Sequence, residues 1–115
     1  MEIWHNPRCS KSRETLSLLE DAGVEPTVRR YLDDAPSVAE LDDALTRLGL
    51  QPWDIARTKE PVAEELGIAD WDHDRRRWLE AMVEHPVLIE RPIVLTDDGR
   101  AALGRPPGAV LDLLP

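Results

Sequence analysis

The residue with the clearest chemical potential is Cys9, the single cysteine of the 115-residue chain. It stands in the stretch Arg8-Cys9-Ser10-Lys11-Ser12, after a predicted strand and a proline turn, where a helix is predicted to begin. The first turn of a helix presents unpaired N–H groups and the positive end of the helix dipole, and both favour a thiolate. The same N–H groups can hold a tetrahedral oxyanion. Cys9 is therefore a candidate nucleophile beside an anion-binding turn.

Positive charge is concentrated around this cysteine. Arg8, Lys11 and Arg13 lie close to it in sequence, and His5 would add charge if it is protonated and close. The alternative is that Cys9 is a small buried apolar residue with no chemical role. Its neighbours Arg8 and Ser10 are polar rather than core residues, which favours the reactive thiolate.

Ser12 stands three residues after Cys9, where a dithiol redox protein would carry its second cysteine. Cys9 consequently cannot close a disulfide within the chain, and any redox cycle takes its second sulfur from outside. Ser12 is either an ordinary exposed helix residue or a hydroxyl donor to the Cys9 thiolate or a bound anion. Ser10, Lys11 and Ser12, with His5, form the predicted support for the thiolate.

The overall charge limits the classes of partner. The net charge is −9, which repels nucleic acid and anionic lipid and requires local cations if an anion is to bind. No apolar run approaches the about 20 residues that span a bilayer, and the first residues do not form a secretory signal. We therefore expect no nucleic-acid and no membrane partner, and a cytoplasmic location.

Turn residues and apolar spacing predict the elements that position Cys9. The first half is expected to form a β-α-β unit followed by helices, with Leu16, Leu19 and Ala22 on one face of the first helix. The predicted elements are a strand over 2–5, a helix from Cys9 or Ser10 to about Ala22, a strand over 27–32, a helix capped by Ser37 and ended by Gly49, and short helices near Pro52 and Pro61.

The second half is predicted to end in a β-hairpin and a helix. Its predicted elements are a helix over 71–84, a strand over 93–95, a turn at 97–99, a returning strand over 100–103, and a helix from Pro106-Pro107 to Leu114. The order β-α-β, helices, β-β-α predicts an α/β fold, for which periodicity alone leaves several arrangements open.

Several spaced motifs resemble the glutaredoxin-coupled arsenate reductase family, in the same order along essentially the whole chain. They are His5-Asn6-Pro7-Arg8-Cys9-Ser10-Lys11-Ser12-Arg13, Gly23-Val24-Glu25-Pro26 with Tyr31-Leu32, Glu84-His85-Pro86 to Arg91-Pro92-Ile93-Val94, and Leu103-Gly104-Arg105-Pro106-Pro107 with Val110-Leu111. The resemblance implies a thioredoxin-like mixed sheet flanked by helices in one domain, 1–115. The thioredoxin-like core would span about 1–32 and 86–115, with a helical insertion over about 36–85.

The resemblance also assigns roles to individual residues. It implies that Cys9 is the nucleophile, that His5 assists formation of the thiolate, that Pro92 follows a cis peptide bond, and that the oxyanion is bound by Arg57, Arg91 and Arg105. Guanidinium groups suit this role because they bind tetrahedral oxyanions through paired hydrogen bonds and stay charged. Without the resemblance, each of these arginines would be interpreted as a solvated surface residue.

The reaction implied by the resemblance is the reduction of arsenate to arsenite without a metal or prosthetic group. The Cys9 thiolate would displace one oxygen from arsenic, and glutathione or another small thiol such as mycothiol or bacillithiol a second. A glutaredoxin-type protein would then remove the small thiol as a mixed disulfide as As(V) becomes As(III). Hydrolysis would release arsenite and restore Cys9.

Two alternatives remain open at this stage. The chain could be a general glutathione-dependent thiol oxidoreductase of the same fold, with Arg8 and Lys11 binding a glutathione carboxylate. It could instead be a regulator that binds RNA polymerase, as some relatives of this family do, although their redox switch needs the second cysteine that Ser12 replaces.

The remaining polar residues give no further site. His73 and His85 lack partners at metal-ligand spacing, so no metal site is expected. Arg75-Arg76-Arg77 stands among aspartates and is interpreted as a solvated helix face. Nothing in the sequence requires an oligomer, so a monomer is expected.

Overall fold

The strands form one mixed sheet in the computed structural model, which describes residues 1–114. They are β1 (Glu2–Trp4), β2 (Thr27–Arg29), β3 (Ile93–Leu95) and β4 (Ala101–Leu103), in the order β2-β1-β3-β4. β1 pairs with β2 in parallel, and the other pairs are antiparallel. In the register, Ile3 lies opposite both Val28 and Val94. The pairing of β1 with β3 thus joins the first and last segments of the chain in one sheet.

The helices within residues 1–114 follow the predicted order. The α-helices are α1 (Ser10–Asp21), α2 (Val38–Leu48), α3 (Pro52–Ile55), α4 (Pro61–Leu66) and α5 (Arg75–Glu84). Shorter 3-10 helices span Ile68–Asp70, Pro86–Leu88 and Pro107–Leu113. The described part of the chain therefore runs β-α-β, then helices, then β-β and a closing 3-10 helix.

The chain divides into two compact units, of which the first contains the sheet. This unit consists of Met1–Asp34 together with the residues from Arg91 onward. Its core joins strands, α1 and the last 3-10 helix through Ile3, Leu19, Val94, Val110 and Leu113, none of which is more than 6% exposed. The loss of this much apolar surface from water is the main stabilising contribution in the unit.

The second unit, Ala35–Glu90, is helical. α2 begins in a capping box, in which the Ser37 hydroxyl accepts from the Glu40 N–H and the Glu40 carboxylate accepts from the Ser37 N–H. Arg75 at the start of α5 pairs with Asp42 of α2 at 2.7 Å. The apolar faces of the two helices are buried at Leu41, Ala44, Leu45, Trp78, Leu79 and Met82.

Several predicted boundaries or types are wrong. The first strand ends at Trp4 rather than His5, and the returning strand begins at Ala101 rather than Arg100. The larger differences have local reasons. The second strand ends at Arg29 rather than near Leu32, because the chain turns where the N–H groups of Asp33 and Asp34 donate to the Arg30 carbonyl. α5 begins at Arg75 rather than Trp71, since the Asp74 carboxylate caps it by accepting from the Arg77 N–H.

The other two differences concern the ends of helices. Ala22 is exposed because it lies at the C-cap of α1 rather than on its buried face. The last helix is a 3-10 helix, with the Ala109 N–H donating to the Pro106 carbonyl at 2.9 Å.

Gly104 follows β4 at a point of close approach. A Cβ atom at this position would lie 2.6 Å from Thr15 Oγ1 and 2.7 Å from Pro92 Cγ. The Gly104 N–H donates to the Pro92 carbonyl at 2.8 Å, so the backbone is held against that residue. Only glycine fits here without a shift of its neighbours.

Substitution of Gly104 by alanine should therefore destabilise the fold. We expect Gly104→Ala to lower the free energy of unfolding by about 1–3 kcal/mol, the usual effect of overpacking. Gly108→Ala is the matched control, because a Cβ there meets nothing within 4 Å. Urea denaturation of both variants measures the difference, and equal stabilities would contradict the expected clash.

Candidate functional site

The turn between β1 and α1 places Cys9 at the N-cap of α1. The Cys9 N–H donates to the Asn6 carbonyl at 3.0 Å, and the Cys9 carbonyl accepts the first helical bond from the Arg13 N–H. The N–H groups of Ser10, Lys11 and Ser12 thus precede the first intrahelical bond, as at any helix start. Cys9 is 8% exposed, so the sulfur lies mostly out of bulk water.

A hydrogen-bonded group behind Cys9 ties the end of β1 to α1. The Ser12 Oγ atom lies 2.6 Å from His5 Nδ1 and accepts from the Asn6 N–H at 3.0 Å. Both His5 and Ser12 are buried. Ser12 is therefore not the ordinary exposed helix residue considered as one alternative, and its hydroxyl joins the strand end to the helix.

The pKa of His5 is lowered from its usual value of 6.5. Burial is the main cause, the positive charges of Arg30 and Arg13 lower it further, and Glu20 partly opposes them. His5 is therefore neutral near pH 7 and contributes a hydrogen bond rather than a positive charge beside the thiol.

This lowered pKa makes stability depend on pH. Because the native state disfavours the charged imidazole, the unfolded chain takes up a proton first as the pH falls. The stabilising contribution of neutral His5 is present above about pH 6.5 and is lost as the pH falls through the native-state pKa. We expect the stability of the wild type to fall more steeply below about pH 6.5 than that of His5→Asn.

Urea denaturation midpoints of the wild type and of His5→Asn, measured at several pH values above and below about pH 6.5, show how steeply the stability of each depends on pH. The comparison uses slopes because His5→Asn also loses the contact with Ser12 and is less stable at every pH. His73→Asn, at an exposed position, serves as the control. Parallel pH profiles for the wild type and His5→Asn would contradict the expected contribution.

Arg105 lies directly against the thiol. Its Nη2 atom donates to Cys9 Sγ at 3.7 Å, and its Nε atom donates to the Arg91 carbonyl at 2.8 Å. The second bond fixes the plane of the guanidinium group, so that its other edge faces the sulfur. The positive charge of Arg105 is therefore held beside the sulfur of Cys9.

Arg91 joins the same site through its backbone, and its side chain is half-buried. The Nε and Nη1 atoms of Arg91 are both buried. The structure thus brings together two of the three predicted oxyanion-binding arginines. Arg91 lies just before β3, and Arg105 lies just after β4.

The peptide bond between Arg91 and Pro92 is cis, which confirms the expectation for Pro92. A second cis bond joins Arg105 to Pro106, and no sequence motif named above predicts it. Each of the two site arginines, Arg91 and Arg105, is therefore followed by a cis proline.

Other basic residues of the turn have different partners. Lys11 is exposed and lies 4.0 Å from the Glu14 carboxylate. Arg13 Nη1 donates to the Pro7 carbonyl at 2.9 Å, which holds the loop before Cys9. Ser10 is exposed in the first turn of α1. The roles predicted for Ser10 and Lys11 in binding an anion stay predictions.

Arg57 belongs to the helical unit, Ala35–Glu90. Its Nη2 atom pairs with the Glu60 carboxylate at 3.0 Å, and its backbone N–H donates to the Leu88 carbonyl. It lines an open pocket of about 500 Å³ with Lys59, Glu60 and Glu90. The predicted part of Arg57 in oxyanion binding stays a prediction.

Sequence reasoning missed the structural part played by Asn6. Its side-chain Oδ1 accepts from the Arg8 N–H at 3.0 Å, while its backbone bonds to both Cys9 and Ser12. Asparagine before a proline turn commonly bonds to the backbone two residues on, and this pattern was the available signal.

The described residues offer neither a metal-binding cluster nor a helix that could span a membrane. Among residues 1–114, no three His, Cys, Asp or Glu side chains group together in a way that could hold a metal ion. In the same part of the chain, none of the helices has the length and apolar character needed to cross a membrane.

Comparison with known proteins gives a direct match to one family. The model of the family described as "ArsC family" matches residues 4–113. The chain belongs to the ArsC family. The resemblance found in the sequence motifs is thereby confirmed.

Relatives of the ArsC family align along nearly the whole chain. A Streptomyces viridochromogenes protein, "Uncharacterized protein in glnII region", is 53% identical over 117 residues, covering 99% of this chain and 98% of the relative. A protein named "Arsenate reductase" from Neisseria meningitidis serogroup A is 47% identical over 107 residues, covering 92% of this chain and 91% of its own length.

The solved structures agree with the ArsC fold. A structure titled "Arsenate reductase from Vibrio cholerae" superposes with a TM-score of 0.93 at 48% identity, covering 98% of this chain and 96% of that one. Together with the four-stranded mixed sheet, this match confirms the predicted thioredoxin-like fold.

Proposed function

We propose that this chain reduces arsenate to arsenite through the thiolate of Cys9, with a small thiol and a glutaredoxin-type protein as reductants. The observation that carries the proposal is the contact of Arg105 Nη2 with Cys9 Sγ, at 3.7 Å, at the start of a helix. Relatives named arsenate reductase, at 47% identity for one from Neisseria meningitidis, support arsenate as the substrate.

The first step forms a bond between sulfur and arsenic. The Cys9 thiolate attacks arsenic, and one arsenate oxygen leaves as water after taking up protons from the solution. The N–H groups at the start of α1 and the guanidinium groups of Arg91 and Arg105 stabilise the oxyanion during this step. No change in oxidation state has yet occurred.

The electrons come from two external thiols. A small thiol displaces a second oxygen as water, giving arsenic bound to two sulfurs. The thiolate of the glutaredoxin-type protein then attacks the small thiol's sulfur, and the electron pair of the sulfur–arsenic bond stays on arsenic. The products are a mixed disulfide and As(III) on Cys9, and hydrolysis then releases arsenite and the Cys9 thiol.

This chemistry requires a supply of reduced thiols. Because a single cysteine cannot supply both electrons as an internal disulfide, every turnover consumes thiol equivalents from solution. We accordingly propose that the protein works in a reducing compartment such as the cytoplasm.

Arg57 is proposed as a third oxyanion-binding group, and its pairing with Glu60 gives a test. An oxyanion that binds Arg57 must compete with the Glu60 carboxylate. We expect Arg57→Gln to raise the KM for arsenate, and Glu60→Gln to lower it about two- to fivefold, the usual worth of an exposed ion pair. Steady-state kinetics of both variants measures the shifts, and changes of the same sign in both would contradict the proposal.

The decisive experiment is arsenate-dependent arsenite formation by the purified protein with glutathione and a glutaredoxin. Arsenite formed only when both thiols are present would support the proposed cycle. If the folded protein forms no arsenite while Cys9 is alkylated rapidly near neutral pH, the alternative of a general thiol oxidoreductase gains support. Slow alkylation as well would count against any nucleophilic role of Cys9.

A further inference from the structure

A small pocket lies beside the Cys9 turn, within the unit that contains the sheet. Its volume is about 260 Å³, and one wall is the turn from His5 to Arg8. The other residues that line it are Arg30, Leu32 and Asp33, which follow β2. Because the Cys9 N–H is bonded to the Asn6 carbonyl, the turn that positions the sulfur also forms a wall of this pocket.

Two arginines that line the pocket differ from most others in the chain. Arg8 and Arg30 are both exposed, and within residues 1–114 neither guanidinium group forms an ion pair. In a chain of net charge −9, carboxylates are abundant, and most of the other arginines form an ion pair with one. The ion-paired arginines are Arg29, Arg47, Arg57, Arg75, Arg76 and Arg100. Arg8 and Arg30 are therefore available to an anion from outside.

The charge and size of the pocket restrict that anion. Arg8 and Arg30 give two positive charges, Asp33 removes one, and neutral His5 adds none, so the net charge favours a monovalent anion such as a carboxylate. The volume lies below the about 300–1,000 Å³ of pockets that enclose a drug-sized ligand. The pocket thus suits one end of a small molecule, with Leu32 as an apolar contact for its chain.

We propose that this pocket binds a carboxylate of the small-thiol co-substrate, held between Arg8 and Arg30. The inference rests on the proposed function, which requires a small thiol to approach arsenic on Cys9. Arginine is suited to the role because its planar guanidinium group bonds a carboxylate through two parallel hydrogen bonds. The thiols selected in this way are peptide-like thiols with a free carboxylate, of which glutathione is an example.

Binding of S-methylglutathione to the full chain tests the pocket without any reaction. This probe keeps both carboxylates of glutathione but cannot react with arsenic or with Cys9. Calorimetric titration should show Kd rising about tenfold in Arg8→Gln and in Arg30→Gln, as expected for loss of a hydrogen bond to a charged group. Asp33→Asn should lower Kd, because it removes a repelling charge.

Two controls separate the pocket from general electrostatics and from misfolding. Arg76→Gln removes the same charge from an exposed residue of α5 and should leave Kd unchanged. The diethyl ester of S-methylglutathione, titrated into the wild type, should bind about tenfold more weakly or worse. This second control needs no substitution and so holds even if a variant fails to fold.

The outcomes distinguish this pocket from the proposed function. Equal Kd values in the wild type and both arginine variants, or no binding by the wild type, would overturn the pocket. Binding that depends on Arg8 and Arg30 in a protein that forms no arsenite would keep the pocket and overturn the reaction. In an active enzyme, the same variants should raise the KM for glutathione and leave the KM for arsenate unchanged.

Discussion

Replacement of Cys9 by serine should abolish arsenite formation, lowering turnover by about a thousandfold or more. A serine hydroxyl stays protonated near neutral pH and cannot form the sulfur–arsenic bond on which each later step depends. The N–H groups at the start of α1 and the guanidinium group of Arg105 remain in place. Arsenite formation with saturating glutathione and glutaredoxin is the measurement.

Ser17→Ala, at an exposed position on the same helix, is the matched control and should keep full activity. Circular dichroism and urea denaturation verify that both variants fold. Arsenite formation by Cys9→Ser at a rate close to the wild type would mean that the external thiols attack arsenic directly. The protein would then act only as a binding surface for the anion.

Replacement of Arg105 should have the second largest effect. Arg105→Gln removes the charge that lies 3.7 Å from Cys9 Sγ and should lower kcat/KM for arsenate about a hundredfold, as loss of an oxyanion-stabilising donor does elsewhere. Arg105→Lys keeps a charge but loses the bond from Nε to the Arg91 carbonyl and should fall between the wild type and Arg105→Gln.

A readout independent of turnover supports this assignment. The rate at which iodoacetamide alkylates Cys9 should fall in Arg105→Gln, because the guanidinium contact with the sulfur is lost. Arg76→Gln is the control for the loss of one positive charge. If Arg105→Lys and Arg105→Gln were equally impaired, position and hydrogen bonding would matter more than charge. Unchanged kinetics in both variants would remove Arg105 from the site.

The parts of the fold that the sequence predicts are those with local signals. The capping box of Ser37 and Glu40 and the stop at Gly49 delimit α2 where the structure has it. The strand over Ile93–Leu95 follows from three consecutive apolar residues, of which Ile93 and Val94 are β-branched. The start of α5 is predicted at Trp71 but lies at Arg75, because the Asp74 side chain caps the helix there.

The candidate site also has features that neighbouring residues predict and features that depend on contacts between distant parts of the chain. The position of Cys9 at a helix start follows from its immediate neighbours. The approach of Arg105 to Cys9 joins residues separated by 96 positions, and no pattern of spacing specifies such a contact. The motif resemblance brought these residues together, because a family's motifs reflect contacts that local propensity does not encode.

The burial of Ser12 could not be read from the sequence either. Serine within a helix is usually solvated or capping, and tertiary contacts with His5 and Asn6 override this tendency. The neutral state of His5 has the same origin, since it depends on burial and on the positions of Arg30 and Arg13 in space.

The serine at position 12 also affects what happens when peroxide oxidises Cys9. An oxidised Cys9 would carry a sulfenic acid, and the sequence has no other cysteine with which this group could condense. The position three residues on, where a resolving thiol would stand, is filled by a hydroxyl bonded to His5 and Asn6. In the proposed cycle, reduction of this sulfenic acid would therefore require the same small thiol that drives turnover. Without that thiol, oxidation would continue to the irreversible sulfinic acid, so we expect the thiol supply to limit the lifetime of the protein as well as its rate.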